Sequence, residues 1–317
     1  MKIVSVLVFT LLIICSMGNN AVADVREESL AQHEITEAVT HLINLIRQDY
    51  IHETQGEKAI ELLAEALNRG EFNGHFTYRR LKIKLESMLF EVTKDANFEL
   101  HFHSGLSQSS DEIEGTLPGA IQTRVLENNT GYLAVDGDFV DDVWLAEFDN
   151  AMAGLSGSSA LIIDLRSAGM SSMAFSQHFL SYFLPSGQLL SDVSLAHEQR
   201  VELLSKKIEH PVIQDVAVFI VTSPFVAGAW EFVAYTLQQT DRAIIVGNPT
   251  MGLGYMTITK PLSEHLSIEM AYAQIINPKT HDNWQGEGVV PDIYCDAKEA
   301  VAASLLLIDH EVPTNCD

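Results

Sequence analysis

Apolar positions along the chain keep two different periods. Between residues 27 and 92 they recur at helical spacing: Ile35, Val39, Leu42, Ile46 and Tyr50, then Ile60, Leu63 and Leu67, then Leu81, Leu85, Met88, Leu89 and Val92. Gly56, and the stretch from Gly70 to Gly74, mark the breaks. The pattern predicts three helices, each with one apolar stripe and a solvated charged face. Residues 98–103 read as a short extended stretch, and the Ser/Gly/acidic residues 104–119 as a loop or linker.

From Ile121 onward, apolar runs of strand length alternate with helical stretches. Gly131-Tyr132-Leu133-Ala134-Val135 is followed by a helix over residues 143–152, then Ala160-Leu161-Ile162-Ile163-Asp164-Leu165 and a helix over 174–183. Val216-Ala217-Val218-Phe219-Ile220-Val221, a helix over 229–237 and Ala243-Ile244-Ile245-Val246 close the series. Continuously apolar strands separated by helices require a sheet covered on both faces and at least partly parallel. Chemistry in such a sheet belongs at its βα junctions, here residues 166–172 and 222–231.

The N-terminus adds an address. Lys2 is the only charge before Asp24, residues 3–14 are mostly Ile, Val, Leu and Phe, and Ala21-Val22-Ala23 gives the small-x-small pattern of signal peptidase. Residues 1–23 therefore read as an export signal, too short to span a bilayer. Cys15 raises lipidation as the alternative, but Leu12-Ile13-Ile14 lacks the small residue that precedes a lipidated cysteine. No later stretch is apolar for the roughly 18 residues a span needs. The expectation is a soluble periplasmic or secreted protein without stable membrane insertion. It is organised as 24–95 helical domain, 96–119 extended segment and linker, 120–300 α/β domain and 301–317 C-terminal tail.

Charge narrows the partners. The chain carries 19 Lys+Arg against 43 Asp+Glu, a formal net charge of −24. That surface repels phosphate backbones, so nucleic acid is not expected as the main partner. With Cys15 in the signal, Cys295 and Cys316 remain, either as a disulfide in an oxidising compartment or as two free thiols.

Four motifs occur in order: Gly131-Tyr132-Leu133; Leu161-Ile162-Ile163-Asp164-Leu165-Arg166; Arg242-Ala243-Ile244-Ile245-Val246-Gly247-Asn248-Pro249-Thr250-Met251-Gly252; and Gly288-Val289-Val290-Pro291-Asp292-Ile293. Together they resemble the tail-specific (C-terminal processing) serine peptidase family over residues 93–295. The closer similarity is to its branch containing interphotoreceptor retinoid-binding protein and tricorn protease, which Asn283-Trp284-Gln285-Gly286 also suits. The resemblance implies a crotonase/ClpP-like α/β core without a PDZ domain, and no cofactor.

The residues that would carry the reaction differ from the family pattern. Matching Glu231, Leu237 and Arg242 puts Gly228 at the nucleophilic serine of Ser-x-x-Glu, and glycine has no oxygen to attack a carbonyl. The general-base lysine falls on Leu253, and its supporting Asp on Gln239. In the other branch, Asn97 replaces the histidine and Gln285 the acidic residue. The oxyanion motif Arg-x-Asn-x-Gly-Gly reads Arg166-Ser167-Ala168-Gly169-Met170-Ser171, with bulky Met170 at a glycine.

Other residues offer weaker chemistry. Ser171, Ser172 and Ser223 have no His or Lys near them in sequence and read as loop or capping hydroxyls. His101 and His103 alternate along a strand and could begin a metal site, but no third ligand is identifiable, so no metal is expected. Asp136, Asp138, Asp141 and Asp142 read as a solvated acidic turn, and Asn128-Asn129-Thr130 is a glycosylation triplet. Two functions remain. One is a pseudo-peptidase whose cleft, formed by Gly169, Met170, Ser171, Ala227, Gly228, Trp230 and Leu253, binds an apolar small molecule or peptide end. The alternative is an active serine peptidase with relocated catalytic residues.

Overall fold

The computed structural model describes residues 29–103, 119–140, 142–212 and 215–316. The export-signal and lipidation readings, Cys15, Asp141 and most of the 104–119 linker lie outside these residues.

Three amphipathic helices open the described chain: α1 (Gln32–Asp49), α2 (Glu53–Asn68) and α3 (Tyr78–Thr93). Their stripes bury Ile35, Leu42, Leu63, Leu81 and Leu85, as helical spacing requires. Thr77 caps α3 by accepting the Arg80 N–H, and Lys94 ends it in the left-handed region.

The α/β part contains a six-stranded sheet. Its strands are β2 (Ile121–Val125), β3 (Thr130–Phe139), β4 (Ala160–Ser171), β7 (Ala217–Thr222), β8 (Ile244–Gly247) and β11 (Ile293–Tyr294). The spatial order is β11-β8-β7-β4-β3-β2, parallel throughout except for the antiparallel edge strand β2. Side chains alternate between the faces. Leu161, Ile163, Val218 and Ile220 pack under α4 (Val143–Gly154), α5 (Met173–Ser181) and α6 (Ala229–Gln239). Ile162, Phe219, Val221 and Val246 face α7 (Ala300–Ile308). Within the expected C-terminal tail, residues 301–316 are thus part of the packed fold. The run Leu305-Leu306-Leu307-Ile308 is too apolar to stay in water, α7 covers the second face, and Cys316 is disulfide-bonded to Cys295.

A second, antiparallel sheet was not legible in the sequence. It comprises β1 (Glu99–Phe102), β5 (Leu189–Leu195), β6 (Arg200–Leu204), β9 (Tyr255–Pro261) and β10 (Leu266–Ile276), in the order β1-β10-β5-β6 with β9 also on β10. This sheet closes the core of the helices. Leu262, Leu266, Ile268, Met270 and Ala271 pack with the stripes of α1–α3. Residues 170 or more positions apart in sequence therefore share one apolar cluster. Among the described residues, no helix is long and apolar enough to cross a membrane.

Candidate functional site

The turn between β7 and α6 lies at the C-terminal edge of the parallel strands, where α/β sheets place their sites. Its last residue, Gly228, caps α6 with φ 56° and ψ −117°. L side chains rarely adopt this conformation, and strand-to-helix turns strained in this way present nucleophiles in hydrolases. A Cβ built on Gly228 would meet nothing within 4 Å. Gly228 thus has open space beside it but no side-chain oxygen of its own.

Glu231, one turn into α6, holds this arrangement from a fully buried position. Its Oε2 accepts the Gly228 and Leu253 N–H groups, both at 2.8 Å. Its Oε1 accepts the Thr250 hydroxyl at 2.5 Å and the Gly252 N–H at 2.6 Å. Thr250 Oγ1 in turn accepts the Val289 N–H at 2.7 Å. The Leu253 loop is further fixed by Trp284 Nε1, which donates to the Leu253 carbonyl at 2.9 Å, and by Gln285 Oε1, which accepts the Gly254 N–H at 2.7 Å. Gly228, Leu253 and Gln285, far apart in sequence, are thus gathered by one buried carboxylate and its neighbours.

Residues 166–172 are not the loop expected from the sequence. β4 continues to Ser171 because β3 pairs with it in parallel as far as Phe139↔Ser171. Asp138, on β3, accepts the Met170 N–H at 2.6 Å. A Cβ at Gly169 would lie 2.3 Å from that carboxylate oxygen, so only glycine allows the contact. Asp136 and Asp138 are therefore strand residues rather than a solvated acidic turn. The Met170 N–H, where the family resemblance places an oxyanion donor, is held by a carboxylate whose charge opposes an incoming oxyanion.

At the root of this strand, Asp164 accepts from Tyr132 Oη at 2.7 Å, Arg166 Nε at 2.8 Å and Arg166 Nη2 at 2.5 Å. Burial raises the Asp164 pKa, but the Arg166 and Tyr132 hydrogen bonds outweigh it and hold the carboxyl below its ordinary value. A carboxyl depressed in the fold stabilises fully above its unfolded pKa, near 4, and loses that contribution as pH falls through the lower folded value. Asp164→Asn is therefore expected to cost about 2 kcal/mol at pH near 7. The gap to the unsubstituted protein should shrink in acid, as urea unfolding at both pH values would show.

Several candidate residues lie elsewhere. Gln239 is at the opposite end of α6 from Gly228, about 16 Å along the axis at the helical rise. Trp230 does not line a cleft: it is fully buried among Phe139, Phe175 and Phe179 because the first turn of α6 faces that aromatic core. Asn97 is bound to Asp95, which also accepts from Tyr50 Oη at 2.9 Å. Ser172 caps α5 by accepting the Phe175 N–H, Ser223 bonds to the Arg166 carbonyl, and Ser171 to the Ser172 carbonyl and Ser176. His103 Nε2 meets Ser267 Oγ at 2.6 Å.

Around the turn, Met170, Phe225, Met251 and Leu253 are exposed apolar side chains. Sequence reading missed the roles of Asp138, Thr250 and Trp284. It used Glu231 only for alignment, although Glu at the third helical position after a cap is a known signature for holding the cap N–H.

A profile of peptidase family S41 matches residues 129–295. Among solved structures, a candidate peptidase from Parabacteroides merdae superposes with TM-score 0.64 at 15% identity, covering 90% of this chain and 100% of that one. The photosystem II D1 C-terminal processing protease gives 0.60 at 13%, covering 84% and 93%. A lipoprotein from Streptococcus agalactiae gives 0.61 at 12%, covering 87% and 96%.

Proposed function

Because the chain belongs to peptidase family S41, the tail-specific or C-terminal processing proteases, we propose that it is an exported member that no longer hydrolyses peptides. In this reading it holds an apolar small molecule or peptide end on the surface around Gly228. Peptide hydrolysis needs an attacking oxygen, a base to take its proton and free donors for the oxyanion. The observation that carries the reading is the bond from the Met170 N–H to Asp138, beside a turn whose nucleophile position is Gly228 and a loop whose base position is Leu253.

The direction of the replacements supports binding. Met170, near the end of β4, and Leu253 stand 61% and 42% exposed where glycine and lysine belong in the family pattern, with Phe225 on the β7–α6 turn and Met251 two residues before Leu253. Exposed apolar side chains at the C-terminal end of a parallel sheet favour apolar partners. Export rests on the pattern of residues 1–23.

The test uses an unstructured peptide with an apolar C-terminal end, followed by calorimetry for binding and mass spectrometry for cleavage. Saturable binding without cleavage is expected, weakened about tenfold or more by Leu253→Lys, which removes an apolar contact. Site-specific cleavage that persists in Gly228→Ala would overturn the loss of hydrolysis. Absence of binding to peptides and apolar small molecules alike would overturn the rest.

A further inference from the structure

The antiparallel sheet carries a second polar group, remote in sequence from the Gly228 turn. On β1, Glu99 and His101 lie on one face, two residues apart. On β10, Glu269 stands directly opposite Glu99 in the antiparallel register. One ligand atom from each of Glu99, His101 and Glu269 lies within 4.8 Å of the others. From this juxtaposition we propose that Glu99, His101 and Glu269 bind a divalent metal ion of the Zn2+ class, which clips β1 to β10.

Two carboxylates directly opposite across a strand pair destabilise it unless a cation lies between them. The cations present are few. Lys82 Nζ is 3.0 Å from Glu99 Oε1 but also 2.7 Å from Glu86 Oε1, so one ammonium serves two carboxylates. Among the described residues, the basic side chain paired with Glu269 is the His101 ring, Nε2 to Oε2 at 3.4 Å.

The outward oxygens are already held by partners outside the trio. Thr257 Oγ1 donates to Glu269 Oε1 at 2.6 Å, and Lys82 donates to Glu99 Oε1 at 3.0 Å. Donors of this kind orient ligating carboxylates around a metal, leaving the second oxygens for the ion. One imidazole and two carboxylates form a three-ligand set with an open position, which suits Zn2+ at about 2.0–2.2 Å after small side-chain rotations. The set supplies too few oxygens for Ca2+. A net charge of −24 also concentrates cations at the surface. His103 follows directly on β1 but is committed to Ser267, so the trio uses a residue from β10 that no sequence spacing could supply.

The experiment titrates chelator-treated full chain with Zn2+ by calorimetry and follows melting with and without the ion. One ion per chain is expected, together with a rise in Tm. His101→Ala and Glu269→Gln should each weaken binding about tenfold or more, while His103→Ala leaves it unchanged. His101 and Glu269 are half-buried and His103 is exposed, so metal-free melting of each variant checks the fold. No saturable binding overturns the proposal. So does binding, or a Zn2+-induced rise in Tm, that His101→Ala and Glu269→Gln leave intact, the mark of an adventitious ion on other histidines. None of these outcomes depends on whether the Gly228 surface binds peptide.

Discussion

Glu231→Ala is expected to destabilise the protein by about 4 kcal/mol or more, with a fall in melting temperature of about 10 °C. Glu231 is fully buried and satisfies the N–H groups of Gly228, Gly252 and Leu253 together with the Thr250 hydroxyl. Removing the carboxylate leaves these donors in a site too enclosed to rehydrate, and each unsatisfied donor costs about 1–3 kcal/mol. Glu231→Gln should recover little of the loss. Its Nε2 must replace one of the two oxygens, and each faces at least one backbone N–H, so donor meets donor in either amide orientation. Chemical denaturation of both variants gives the answer. A Glu231→Gln variant as stable as the unsubstituted protein would mean that the carboxylate does not organise the turn. Glu231 is fully buried, so this stability is separable from any binding on the outer surface of the turn.

Breaking the Cys295–Cys316 disulfide is the second large effect, expected to cost about 3 kcal/mol and about 5–10 °C in Tm. The bond closes a loop with a sequence separation of 21, which in the chain-entropy account corresponds to roughly that stabilisation. The closed segment includes α7, whose Ala300 and Ala303 cover Ile162, Phe219 and Val221. Its start is tied to the sheet by the Cys295 N–H on the Gly247 carbonyl at 3.0 Å, and by Arg166 Nη1 on the Ala297 carbonyl at 2.5 Å. Melting with and without reductant tests this. Cys316→Ser should melt at the reduced temperature and ignore the reductant, whereas equal melting of oxidised and reduced protein would reject it.

The parallel sheet and the helices were legible because their signals are local. Leu161 and Ile162 must face opposite sides of a strand, and Ile35, Val39 and Leu42 must share a helix face, whatever they meet later. The absence of an oxygen at Gly228, and of a lysine at Leu253, is likewise written in the residues themselves. The antiparallel sheet was not legible: β10 is mostly buried and pairs with β1, β5 and β9, strands far apart in sequence, so its first half lacks the clean alternation of a half-exposed strand. Nor could spacing reveal that Asp138 reaches the Met170 N–H across the β3–β4 register, or that Trp230 turns inward while Leu253 turns out. Periodicity fixes which way a side chain points from its own element. Which donor a carboxylate finds depends on register and packing between distant segments, and these follow only from closure of the whole core.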